Sequence, residues 1–139
     1  MSRILTCELR FDAAELPALA AALAALCAPS DGADLQKLLA EPGSEHGLSL
    51  AFAPDDWLRA FQHEHPDLQA APGKIAVGAF WAILQDDGGQ RVLSLTGATA
   101  SVSDALVESP AVRRALQALA ESVHGQLQLV DEWRDIRPF

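Results

Sequence analysis

Residues Lys74 to Thr99 constrain the fold more than any other stretch of this chain. Two strand-patterned runs, Lys74–Gln85 and Gln90–Thr99, are joined by Asp86-Asp87-Gly88-Gly89. Asp-Gly is a strong short signal for a β-hairpin, because a type I′ turn requires positive φ at both central residues. With Asp87-Gly88 at the turn, Ile83 is expected opposite Val92, Trp81 opposite Ser94 and Phe80 opposite Leu95. The first run is apolar on both sides, with Val77, Trp81 and Ile83 on one face and Phe80 and Leu84 on the other. A strand apolar on both faces calls for cover on both, so it is expected to be central, with the rest of the chain as its cover.

The elements on either side follow from periodicity and punctuation. Arg3–Phe11 alternates as a strand, with Leu5, Cys7, Leu9 and Phe11 on its apolar face. Asp12 and Glu15 resemble a capping pair, and Pro17 predicts a short opening turn before a helix from Pro17 to Cys27 with Leu16, Leu19, Leu23 and Leu26 as its stripe. Pro29-Ser30-Asp31-Gly32 breaks the chain. Asp34–Glu41 then reads as a short helix and Leu48–Ala53 as a short strand. Pro54-Asp55-Asp56 opens a third helix carrying Trp57, Leu58 and Phe61, ended by Pro66. Ser101–Glu108 fits either a turn of helix capped by Ser103 or a loop. Ser109 with Pro110 is a strong helix start, the buried stripe being Val112, Leu116, Leu119 and Val123 and the stop Gly125. Gln126–Trp133 is a last strand and Arg134–Phe139 a charged tail. The expected architecture is α+β, one domain over residues 1–139. It has a mostly antiparallel sheet of about five strands built on the hairpin and three to four helices, in the order β-α-α-β-α-β-β-α-β.

A chain of 139 residues, half of them hydrophobic, supports a core without metals or disulfides. No run reaches the roughly 18 apolar residues of a membrane span. The N-terminus lacks the basic and apolar blocks of an export signal, so a cytoplasmic location is expected. Cys7 and Cys27 read as small core residues in a reducing compartment, although a strand packed on a helix leaves a disulfide open. The net charge of −9 disfavours nucleic acid and anionic membranes as partners and favours a basic protein. Arginine far outnumbers lysine, asparagine is absent and alanine abounds, a composition that fits a bacterial chain from a GC-rich genome.

Sequence motifs for chemistry are sparse. His63 and His65 are two residues apart, which on a helix points them about 200° from each other rather than toward one metal. Gly73-Lys74 precedes a strand and so forms no phosphate-binding loop. Gly78 and Gly97, facing each other across the hairpin in the expected register, would thin the sheet and admit a packed helix or a ligand. No G-x-S-x-G is present, and neither cysteine has a histidine at motif spacing. Hence no catalytic residue, metal ligand or cofactor is expected. Asp131-Glu132-Trp133 with Asp135 has the composition of an interface hot spot, although Trp133, Ile136 and Phe139 fit a self-pinning tail equally well.

These observations predict a non-catalytic acidic binding protein that masks a basic partner, as the immunity proteins of bacterial toxin systems do. Its expected partner-binding residues are Asp131, Glu132, Trp133, Asp135, Asp55, Asp56, Asp86 and Asp87, which should then converge on one face. The first alternative is a small-molecule-binding domain or small enzyme using a closed apolar pocket near Phe80, Trp81 and Trp57, with His63 or His65 at its mouth. The second is a structural subunit that forms a homodimer through the alanine-rich helix.

Overall fold

In the computed structural model, which describes residues 4–27, 32–68 and 70–139, six strands form one antiparallel sheet with the helices layered on one of its faces. Strand β1 (Leu5–Asp12) leads through a 3-10 turn, Ala13–Glu15, into α1 (Leu16–Leu26). The order continues α2 (Gly32–Ala40), β2 (Glu45–Phe52), α3 (Asp56–Glu64), β3 (Ile75–Asp87), β4 (Gln90–Gly97), α4 (Ala100–Glu108), α5 (Pro110–Ser122), β5 (Gln126–Asp131) and β6 (Ile136–Arg137). The fold is thus α+β, with one strand more than expected because Ile136–Arg137 of the tail pairs with β5. The chain break expected around Pro29-Ser30-Asp31 lies outside the described residues. Among the described residues no helix is long and apolar enough to cross a membrane.

Spatially the strands run β2-β3-β4-β1-β5-β6, so β1 sits between β4 and β5. The hairpin register differs from the expected one by two residues. Asp87 faces Gln90, Ile83 faces Ser94, Trp81 faces Thr96 and Phe80 faces Gly97. The cause is the turn: Gly88 and Gly89 are its two central residues, with φ of 56° and 34°. Two consecutive glycines meet the positive-φ requirement at lower steric cost than Asp87-Gly88.

One face of the sheet supplies Leu5, Cys7, Leu9 and Phe11 from β1, Leu48, Leu50 and Phe52 from β2, and Phe80, Ala82 and Leu84 from β3. Leu93, Leu95 and Leu129 complete it, and all of these are buried against the helices. Leu19 and Leu23 of α1, Leu58 and Phe61 of α3, and Val112, Leu116 and Leu119 of α5 fill the same core. Strand β3 is therefore covered on one side only, and Trp81, on its other side, is 45% exposed. Of the three apolar residues expected on that side, Val77 is buried in the core, and Trp81 and Ile83 make a surface instead of calling for cover.

The glycines expected to face each other do not. Gly78, at φ 97°, lies where four residues of β3, Ala76 to Ala79, span the same stretch as the three residues Ser49 to Ala51 of β2. That extra residue is a bulge. Gly97 instead meets α4. A Cβ on it would lie 2.5 Å from Ser103 Oγ and 2.7 Å from Ser103 N, so the close neighbour is a packed helix. Helix α4 is capped by Thr99, whose side chain accepts from Val102 N–H. Ser103, the cap expected from sequence, is instead buried and accepts a hydrogen bond from Leu5 N–H at 3.1 Å.

Helix α5 starts as its sequence predicts, with Ser109 as N-cap and Pro110 at the first turn. At its end, His124 takes the left-handed conformation, φ 52°. Gly125 serves close approach instead, since a Cβ there would lie 2.8 Å from the Arg10 carbonyl oxygen. Cys7 is a buried free thiol. Cys27 pairs with Leu50 on the outer edge of β2, four strand spacings from β1, or about 19 Å at 4.8 Å each, so no disulfide can join them. Burial pushes the Cys7 thiol up to about 12, with the Glu8 carboxylate adding to the shift, which keeps it protonated and unreactive.

Candidate functional site

The face of the sheet away from the helices is built by the alternate residues of each strand. Register places Gly47, Trp81, Thr96, Thr6, Val130 and Ile136 in one row across all six strands. A second row holds Glu45, Ile83, Ser94, Glu8 and Gln128, and a third Gln85, Val92, Arg10 and Gln126. Apart from Val130, which is buried, these side chains stay partly or fully exposed.

Local contacts tie side chains together across this face. Trp81 lies against Gly47, where a Cβ would come within 3.3 Å of the indole Cζ3. The glycine thus lets the ring settle across β2 instead of standing up from the sheet. Thr6 and Thr96 share a hydroxyl hydrogen bond of 2.8 Å, and Gln128 Nε2 donates to Glu8 Oε1 at 2.8 Å. Arg10 pairs with Asp87 across the hairpin end. Alongside runs an open groove of about 450 Å³ lined by Glu8, Arg10, Gln85, Asp86, Asp87, Val92, Gln128 and Arg134.

The C-terminal turn borders the same face. Asp131 is 5% exposed, and its Oδ1 accepts from the N–H groups of Trp133 at 2.9 Å and Asp135 at 3.0 Å. Arg137 reaches its Oδ2 at 3.4 Å. That carboxylate organises a tight turn with Arg134 at φ 65°, putting Arg134 on the groove and leaving Trp133 74% and Ile136 67% exposed. Of the three side chains considered as anchors of the tail, Phe139 packs on the core, beneath the Arg113 guanidinium at 4.5 Å. Trp133 and Ile136, the other two anchors considered, face solvent.

The eight residues expected to bind a partner separate into three locations. Asp55 caps α3, accepting from Leu58 N–H at 2.9 Å. Its second oxygen accepts from Ser109 Oγ at 2.7 Å and Ala111 N–H at 2.9 Å, so it also anchors the start of α5. Burial alone would raise its pKa, but the hydrogen bonds from Ala111, Leu58, Ser109 and Trp57 outweigh that and hold it below the usual carboxylate value. Asp56 is exposed and lies 3.7 Å from Arg59 on its own helix. Asp86 and Asp87 stand at the hairpin end, each beside an arginine; the Arg91 Nε to Asp86 Oδ1 approach, 3.0 Å, lacks hydrogen-bond alignment. Asp131 is interior, while Glu132, Trp133 and Asp135 are exposed at the other end of the sheet. The acids therefore do not converge on one face, and Asp55 and Asp131 are occupied in holding the fold. Sequence reasoning missed Thr6, Glu8, Arg10, Ser94, Thr96 and Gln128, whose signal is the polar half of each strand's alternation.

The pocket expected near Phe80, Trp81 and Trp57 does not form, because Phe80 and Trp81 point to opposite faces of β3. His63 is exposed at the last turn of α3, and His65 packs on Phe61 with ring centroids 4.5 Å apart. His46 shares a 2.8 Å hydrogen bond with Ser44 Oγ. Among the described residues no three His, Cys, Asp or Glu side chains gather as metal ligands. No protein-family model, no curated protein and no solved structure matches the chain, so function has to be read from this surface.

Proposed function

We propose that the chain is a non-catalytic protein-binding domain that masks a basic partner through its uncovered sheet face, in the manner of a bacterial immunity protein acting in the cytoplasm. The observation that carries this reading is the row from Trp81 to Ile136, an indole laid flat on Gly47 at one side and an exposed isoleucine at the other, with hydroxyls between. A broad open face with an aromatic anchor suits the surface of a protein better than it suits a small ligand. The net charge of −9 supports a basic partner. Trp133, Glu132 and Asp135 form the rim in this reading, and Asp86 and Asp87 the hairpin corner, while Asp55 and Asp131 act only by holding the fold. A small-molecule ligand is the second reading, favoured by the groove between Arg10 and Arg134.

Photo-crosslinking in source-cell lysate tests the first reading. A benzophenone side chain at position 81 should capture one basic protein, and the same probe at the exposed Gln117 of α5 should not. With the captured protein purified, Trp81→Ala should weaken binding about 30-fold, or about 2 kcal/mol, with thermal stability nearly unchanged. Equal capture from position 117, or full affinity in Trp81→Ala, would refute the assignment of this face.

A further inference from the structure

On the helix layer, away from the sheet face, α3 and α4 enclose a cleft of about 200 Å³ lined by Trp57, Ala60, Phe61, Glu64, Ser101 and Asp104. Its wall is aromatic. Trp57 and Phe61, one helical turn apart, stack with centroids 5.4 Å apart and planes 14° from parallel. Trp57 Nε1 donates to Glu108 Oε2 at 2.9 Å, which fixes the indole against α4. The charged groups lining the cleft are two carboxylates, Glu64 and Asp104, one from each helix, and no lining residue is basic.

Four carboxylates elsewhere stand beside arginines: Asp86 by Arg91, Asp87 by Arg10, Asp131 by Arg137 and Asp56 by Arg59. Among the described residues Glu64 and Asp104 have no such neighbour. An aromatic wall with two carboxylates in the same cleft is complementary to a cation. With Phe61 stacked behind it, the Trp57 indole favours a flat cation that stacks on it while donating sideways to both carboxylates. Guanidinium does this and ammonium does not. The space holds the head of one side chain, so the remainder of the ligand must lie outside.

We propose that this cleft receives an arginine side chain presented by a protein partner. It stands independently of the sheet-face reading, since the cleft shares no residue with that surface.

The test uses the full-length, ¹⁵N-labelled chain and N-acetyl-argininamide, which mimics an arginine within a polypeptide. The Trp57 indole N–H resonance, identified by its loss in Trp57→Phe, should shift saturably with a dissociation constant on the order of millimolar, as expected for one isolated cationic head. Glu64→Gln and Asp104→Asn, both at exposed positions, should each weaken that binding about fivefold, and unchanged Trp81 and Trp133 resonances would report an intact fold. The neutral isostere N-acetyl-citrullinamide should give no saturable shift. A flat Trp57 titration, an equal response to the citrulline or lysine analogue, or wild-type affinity in both carboxylate variants would overturn the proposal. Binding of free arginine much tighter than the capped probe would overturn the protein-borne source.

Discussion

Gly97→Ala should lower stability by about 3 kcal/mol, near the upper end for an overpacked core, seen as a fall of about 10 °C in Tm. The new methyl would sit within 3.0 Å of three Ser103 atoms, two of them backbone. Backbone at the first turn of a helix cannot swing aside as a side-chain tip does, so α4 must lift from β4. Lifting it also stretches the bond from Leu5 N–H to Ser103 Oγ. Removing the hydroxyl should not rescue the variant: Ser103→Ala clears only one of the three contacts and leaves the Leu5 N–H buried without a partner. Thermal melts of Gly97→Ala, Ser103→Ala and the double variant provide the check. Near-wild-type melting of the double variant would mean that α4 rides more loosely on the sheet than the contacts imply.

Asp55→Ala carries the second large effect, also about 3 kcal/mol, because one carboxylate caps α3 and ties down the start of α5 through hydrogen bonds to a charged acceptor. Asp55→Asn retains one acceptor oxygen and should lose about half as much. The two substitutions also separate charge from geometry. Folding depresses the Asp55 pKa, so its ionised form stabilises the native state at every pH above the unfolded value of about 3.9. That contribution disappears as pH falls below this value and through the lower folded one. Urea midpoints of wild type and Asp55→Asn should therefore differ clearly at neutral pH and converge in strong acid. A gap of the same size at both ends would assign the effect to shape alone.

Both sites show where sequence is informative and where it is not. Asp55 stands directly before a helical stripe of Leu58 and Phe61, the usual place of an N-cap. Its second role depends on Ser109 and Ala111, more than fifty residues away, and no local pattern announces that. The hairpin was legible as a hairpin, but Asp87-Gly88 and Gly88-Gly89 both satisfy the turn, and choosing between them moves every cross-strand pair by two residues. Helix α4 was ambiguous because its buried Val102, Ala105 and Leu106 alternate with serines and an aspartate, residues equally at home in loops. Helix α5 was clear because cap, proline and stripe agree.

The candidate surface was the least legible part. Thr6 and Thr96 are ninety residues apart and meet only because β1 pairs with β4. Each of their strands showed a polar side, yet which polar sides join depends on strand order, a tertiary property. The acidic residues were conspicuous in sequence, but conspicuous acids include those that hold turns together, as Asp131 does.

The central place of β1 has a consequence for how the chain is made. Its neighbours β4 and β5 are both encoded far downstream. The roughly 80 residues between the end of β1 and the start of β4 take about 4–16 s to synthesise at bacterial or eukaryotic rates of about 5–20 residues per second. Throughout that interval Leu5, Cys7, Leu9 and Phe11 are a hydrophobic strand without the partners that later bury it. Every nascent copy therefore passes through a window of seconds in which a holding chaperone, or another unfinished chain, competes for the strand at the middle of the finished sheet.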